Sequence, residues 1–189
     1  MLIDPVVLLA SKEGESLAML SVETMNYAIL PLSAAHFSGL HQVFDAACKQ
    51  ESFLFFLQAP PIEQTFRYYQ NMVDRDYVYF VALCDETVVG WCDLLPQGDA
   101  AHVGVLSVAL LPQAQGLGLG RALMQAALAK AWQQGFVRIE LTVRVDNQKA
   151  QALYQQLGFV NEGAPQQDLC IRGQYFTTQT MVLLAHSVP

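Results

Sequence analysis

Positive charge is scarce in this chain. Ten Lys plus Arg stand against 17 Asp plus Glu, for a net charge of -7 and a pI of about 4.9. Such a field repels polyanions, so duplex nucleic acid is a poor partner, although a compact anion can still bind where main-chain amides converge. Cysteine is sparse and unpatterned: Cys48, Cys84, Cys92 and Cys170 form no Cys-x-x-Cys pair, and no histidine stands at zinc-ligand spacing. Neither a disulfide framework nor a metal site is indicated, and ordinary buried thiols are expected. No apolar run reaches membrane-spanning length. The apolar stretch at residues 6–10 has no basic segment before it and is broken at residues 12–15, so it does not read as a secretory signal. These absences predict a cytoplasmic protein that binds neither nucleic acid nor membrane.

What is abundant is apolar side chain, 53% of 189 residues, enough for one substantial core and one domain. Residues 1–24 carry no sustained periodicity and read as an extension of uncertain order, leaving a single domain over 25–186. A short strand at 27–30 stops at Pro31, and Ser33 is a good N-cap for a helix running towards residue 50. Ile62, Phe66, Tyr69 and Val73 recur at helical spacing behind Pro61. Residues 78–84 and 88–95, flanking Asp85 and Glu86, predict an antiparallel hairpin. A long strand follows at 101–111, then a glycine loop and a helix at 121–134. A strand at 137–143, a helix at 148–157 and a terminal hairpin at 169–172 and 174–184 complete the pattern. No repeat and no linker interrupt it.

The loop Gln115-Gly116-Leu117-Gly118-Leu119-Gly120 stands between strand and helix, where glycines let the backbone approach a phosphate and the first helical amides face outward. A P-loop is excluded because no lysine follows the glycines. A dinucleotide fingerprint is opposed by Arg121 at the position of its third glycine, and by Glu140 lying within its strand instead of at the strand's end. A glycine-rich turn without a ligand stays open on the loop alone.

Two motifs then converge. Gln115-x-x-Gly118-x-Gly120 resembles the Q/R-x-x-G-x-G/A signature of the GCN5-related N-acetyltransferases. Asn147-x-x-Ala150-x-x-x-Tyr154-x-x-x-Gly158-Phe159 resembles that family's second signature. The run Arg138-Ile139-Glu140-Leu141-Thr142-Val143 before it and the terminal Gly-x-Tyr hairpin resemble the bacterial amino-acid N-acetyltransferase branch. The resemblance extends over residues 27–184.

It implies an α/β (α+β) fold: a mixed, mostly antiparallel twisted sheet of six to seven strands, splayed between the fourth and fifth, with about four helices. It also implies acetyl-CoA as acyl donor, and an acyltransferase acting by direct attack on the primary amine of a small molecule such as an amino acid. The pantetheine is expected on the backbone of Val108, Ala109 and Leu110. The diphosphate is expected on Gly116, Leu117, Gly118, Leu119, Gly120 and Arg121 behind Gln115, with Asn147 fixing the pantetheine arm. By the same carry-over a backbone amide near Val108 serves the oxyanion, and Tyr154 is the catalytic acid for the departing thiolate.

The general base stays open among Glu140, Asp93, His102 and water. Peptide-acetylating relatives carry a carboxylate where this chain has Thr142, and Tyr175 is followed by Phe176 and Thr177, where relatives often have Asp two residues on. Phe53, Phe55, Phe56 and Tyr68 are candidates to line an apolar acceptor pocket, with core packing the competing role for most of them. A non-catalytic acyl-CoA-binding module, a peptide-terminus or polyamine acetyltransferase and a dinucleotide oxidoreductase are the competing readings. A homodimer is a candidate assembly.

Overall fold

A computed structural model describes residues 26–49, 58–98 and 100–185. The predicted extension at 1–24 and Phe53, Phe55 and Phe56 lie outside the described residues. Seven strands form one sheet in the order β1-β2-β3-β4-β5-β7-β6. They are β1 (Tyr27–Pro31), β2 (Val78–Cys84), β3 (Thr87–Gln97), β4 (Ala100–Leu110), β5 (Arg138–Arg144), β6 (Val160–Ile171) and β7 (Gln174–Leu184). Neighbours are antiparallel except β4 and β5, which are parallel. The helices described are α1 (Phe37–Lys49), α2 (Ile62–Asp74), α3 (Leu119–Gln133) and α4 (Gln148–Gln156). None is long and apolar enough to cross a membrane.

Strand alternation sends successive side chains to opposite faces, and each face has its own core. On one, Cys92, Leu94, Leu106, Ile139 and Leu141 meet Leu123, Met124 and Ala127 of α3 and Tyr154 of α4. On the other, Tyr79, Val81 and Trp91 meet Phe37, Leu40 and Val43 of α1 and Tyr69 and Met72 of α2. Ser33 opens the first helical segment as expected, in a capping box with His36 through a short 3-10 turn.

One sequence expectation was too short. The first arm of the terminal hairpin starts at Val160, not 169. Its residues 160–168 are all exposed and polar-rich, so they show no alternation, and they include Pro165. An outermost strand tolerates both, because its unpaired side needs no ladder donor. Register shifts between Glu162 and Gln166 and between Gln166 and Leu169 bend it, and the buried Gln179 amide donates to the Glu162 carbonyl at 2.9 Å to hold the bend.

Candidate active site

β4 and β5 are paired over Val103↔Arg138, Gly104↔Ile139 and Val105↔Glu140, and then both strands run on without further pairing to each other. A gap opens beyond Val105. The Leu111 N–H donates to the Val89 carbonyl at 2.9 Å, and residues of an antiparallel pair alternate in the direction of their polar groups. Leu110 and Val108 therefore turn their N–H and C=O away from β3 into the gap, whereas Ala109 turns its own to β3. The opposite wall follows the same logic: Val145 N–H donates to the Thr177 carbonyl at 3.0 Å, so Thr142 and the Arg144 N–H are directed to the gap, while the Arg144 carbonyl accepts from the Asn147 N–H at 3.0 Å. Backbone donors and acceptors require partners, and this pair of edges suits an extended chain bearing amides.

The glycine loop closes the outer end of β4. Gly116 and Gly118 have φ of 77° and 80°, a left-handed geometry that disfavours side chains, and Gly118 is the N-cap of α3. The first backbone bond of the helix runs from Ala122 N–H to the Gly118 carbonyl, leaving the N–H groups of Leu119, Gly120 and Arg121 without helical acceptors. A Cβ on Gly116 or Gly118 would meet nothing within 4 Å, so the front of the loop is open, and Leu117 is exposed. Gly120 instead faces inward, where a Cβ would lie 3.4 Å from Leu153 and 3.5 Å from Leu110. The donor set and the open approach fit a diphosphate.

Side chains around the loop are engaged locally. Gln115 donates from Nε2 to the Leu110 carbonyl at 3.2 Å, tying the loop to β4. Arg121 donates from Nη2 to Gln156 Oε1 on α4. Gln151, which sequence reasoning missed, donates from Nε2 to the carbonyls of Arg144, at 3.2 Å, and Val145, at 2.9 Å. It thereby secures the end of β5 as Gln115 secures the end of β4; Gln115 is part of the first motif, whereas Gln151 falls at an unspecified position of the second.

Tyr154 lies on α4 beneath this gap, buried, with its ring 6.1 Å from that of Phe159. Burial raises its phenol above the ordinary value, and the nearby Cys92 adds to the rise. Cys92 pairs with Val108 across β3 and β4, so the phenol reaches the sheet beside the residue whose amide enters the gap. Asn147 accepts the Ala150 N–H on Oδ1 at 3.2 Å and caps α4, which fixes the tyrosine's helix to the end of β5. Gly158, with φ of 94°, ends that helix.

The base candidates separate. Glu140 sits at the last paired rung, held by Arg138 Nε at 2.6 Å, and Arg138 also grips Glu162. His102 is exposed at the closed end of β4, away from the gap. Asp93 is buried on the face opposite Tyr154 and pairs with Ser107 of β4. Tyr68 lies on α2 on that same side, 42% exposed.

The same architecture occurs in solved proteins. The phosphinothricin acetyltransferase of Sinorhizobium meliloti in complex with acetyl-CoA superposes with a TM-score of 0.78 at 18% identity, covering 86% of this chain and 90% of that one. The spermidine N-acetyltransferase of Vibrio cholerae, in complex with CoA and spermine, superposes with a TM-score of 0.72 at 22% identity, covering 85% and 96%. In sequence, 72 residues are 46% identical to the mycothiol acetyltransferase of Paenarthrobacter aurescens, a stretch that spans 37% of this chain and 22% of that protein's length. The model of the Acetyltransferase (GNAT) family matches residues 41–159, from α1 through the glycine loop to the end of α4, and the chain belongs to that family.

Proposed function

We propose that this chain transfers the acetyl group of acetyl-CoA directly to the primary amine of a small molecule such as an amino acid, from one domain over residues 25–186 in the cytoplasm. The observation that carries this reading is the gap beyond Val105↔Glu140, walled by main-chain groups of Val108 and Leu110 and ending at the amides of Leu119, Gly120 and Arg121. Acetyl-CoA bound there supplies an activated thioester. An acidic protein can hold so anionic a ligand because oriented amides, not net charge, meet the diphosphate.

Each residue then has a task. Val108 and Leu110 orient the pantetheine amides, and Asn147 and Gln151 hold the facing end of β5 in place. The Val108 N–H meets the negative charge that grows on the carbonyl oxygen as nitrogen attacks. Tyr154 keeps its proton through neutral pH, because burial disfavours the phenolate, and donates it to the sulfur as the C–S bond breaks. A cysteinyl intermediate is disfavoured. Cys48 and Cys92 are buried, burial raises both thiols, and neither Cys84 nor Cys170 borders the gap.

The test is thiol release from acetyl-CoA with a panel of amino acids, alkylamines, polyamines and short peptides. Release that depends on one class of amine, with no acetylated protein by mass spectrometry, is expected. Tight CoA binding with no turnover across the panel would leave a binding module instead.

A further inference from the structure

Where the gap opens, a single polar row crosses the sheet on the face away from Tyr154. Register pairs Tyr79 with Asp93 and Asp93 with Ser107. Two residues beyond the last β4–β5 rung, Ser107 of β4 and Thr142 of β5 face one another across the gap, and Thr142 pairs in turn with Thr180. Ser107 and Thr142 are exposed. Asp93 is the acidic member of this row, and its neighbour Cys92 pairs with Val108 on the other face. Tyr154 and Asp93 thus address the same point of β4 from opposite sides of the sheet.

Its surroundings are aromatic. The Trp91 indole donates from Nε1 to Asp93 Oδ1 at 3.1 Å. Tyr69 lies with its ring 6.0 Å from Tyr79 and 6.0 Å from Tyr68, and the Asp93 charge acts on all three phenols. Tyr68 is the exposed member of the three. Burial outweighs the Trp91 bond and pushes the Asp93 carboxyl up to about 7, so the group gains or loses a proton under working conditions. The groups facing it are Tyr68 and Tyr69 of α2, Tyr79 of β2, Trp91 of β3 and Ser107 of β4. On β5, Arg138 is already committed to Glu140 and Glu162.

A buried carboxylate with tyrosines about it is stabilised by a cation arriving beside it, and tyrosine faces attract the same charge. We propose that Asp93 is the acceptor-side catalytic residue, binding a primary alkylamine as its ammonium ion and taking one proton from it at the opening of the β4–β5 gap. The proposal rests on the amine acetyltransferase reading above. The proton balance closes: Asp93 takes one proton, the freed nitrogen forms the C–N bond, the C–S bond breaks and sulfur takes the Tyr154 proton. Nitrogen loses a second proton as the amide forms, which restores Tyr154, and Asp93 returns its own to solvent.

The experiment uses the full chain with propylamine, phenethylamine, putrescine and glycine as probes. Asp93→Asn and Asp93→Glu are compared with the parent for kcat/KM between pH 5.5 and 9 and for acetyl-CoA affinity. The expected result is a loss of about 100-fold or more in kcat/KM for Asp93→Asn with acetyl-CoA affinity within twofold. The acid limb of the parent profile, with its midpoint near 7, should disappear in Asp93→Asn and return, displaced, in Asp93→Glu. Activity within threefold of the parent, or an unchanged acid limb, overturns the proposal. A second measurement follows the Asp93 carboxyl carbon of the parent by NMR while each amine is added. A downward shift of its titration with an amine supports amine binding at Asp93; such a shift without turnover refutes the acetyl-transfer reading and with it the catalytic role, and no shift with any of the four overturns the proposal.

Discussion

Replacing Asp93 by asparagine gives a measurement of burial that is independent of any ligand. In the unfolded chain this carboxyl ionises near its ordinary value of 3.8, whereas in the folded protein burial holds the proton on until about 7. Between those values the folded state binds the extra proton, so stability falls as pH rises through the window, and the loss is complete above about 7. At about 1.4 kcal/mol per unit, a displacement of roughly three units destabilises the parent by about 4 kcal/mol at pH 8. The asparagine variant carries no such charge. Its Oδ1 still accepts from Trp91, and its amide nitrogen, placed where a carboxylate oxygen accepted, costs about 1 kcal/mol at every pH. The variant should therefore gain on the parent by about 3 kcal/mol between pH 5 and pH 9, nearly all of it below pH 7. Other carboxylates cancel, being common to both proteins. Urea unfolding at five pH values, with equal m-values, reads the difference. Parallel stability curves would show that the carboxyl is hydrated and the burial argument wrong.

Three further outcomes follow from the geometry. Tyr154→Phe should lower kcat by about 100-fold while leaving acetyl-CoA affinity by calorimetry within twofold, since the missing proton matters as sulfur departs; equal kcat would remove the phenol from that role. Gly118→Val places a branched side chain at φ of 80°, where strain of about 1–3 kcal/mol distorts the amides ahead of α3, so CoA affinity should drop at least tenfold, and an unchanged Kd would mean that the loop does not hold the diphosphate. Gly90→Ala would bring a Cβ to 2.6 Å from the Ala109 carbonyl oxygen and 2.3 Å from Leu110 Cδ2, so the outer end of β4 must shift. A loss of about 1–3 kcal/mol in unfolding free energy and weaker CoA binding are expected together; loss of stability with CoA binding intact would separate that strand end from the cofactor.

Much of this protein is local in origin. The period of apolar residues in α2, the hairpin residues Asp85 and Glu86, the stop at Pro31 and the glycines ahead of α3 each express a short-range preference, so their elements were legible. The two motifs were legible because each is a fixed spacing within a few residues, Gln115 to Gly120 and Asn147 to Phe159, whatever surrounds them. β6 escaped because residues 160–168 are exposed and obey no periodicity; they become a strand by lying beside β7 with Gln179 clasping the bend.

The choice among Glu140, His102 and Asp93 was equally hidden, since three polar residues on three strand segments look alike until register is known. Pairing put Glu140 on the last closed rung against Arg138, His102 at the far end, and Asp93 beside the residue that faces the gap. Sequence alone therefore determined most of the segments that form and where the open glycine loop ahead of α3 lies, because those depend on neighbours a few residues apart. Tertiary structure decided how far β4 and β5 stay paired and which carboxyl is stripped of water beside their parting, because both depend on contacts between strands remote in the chain.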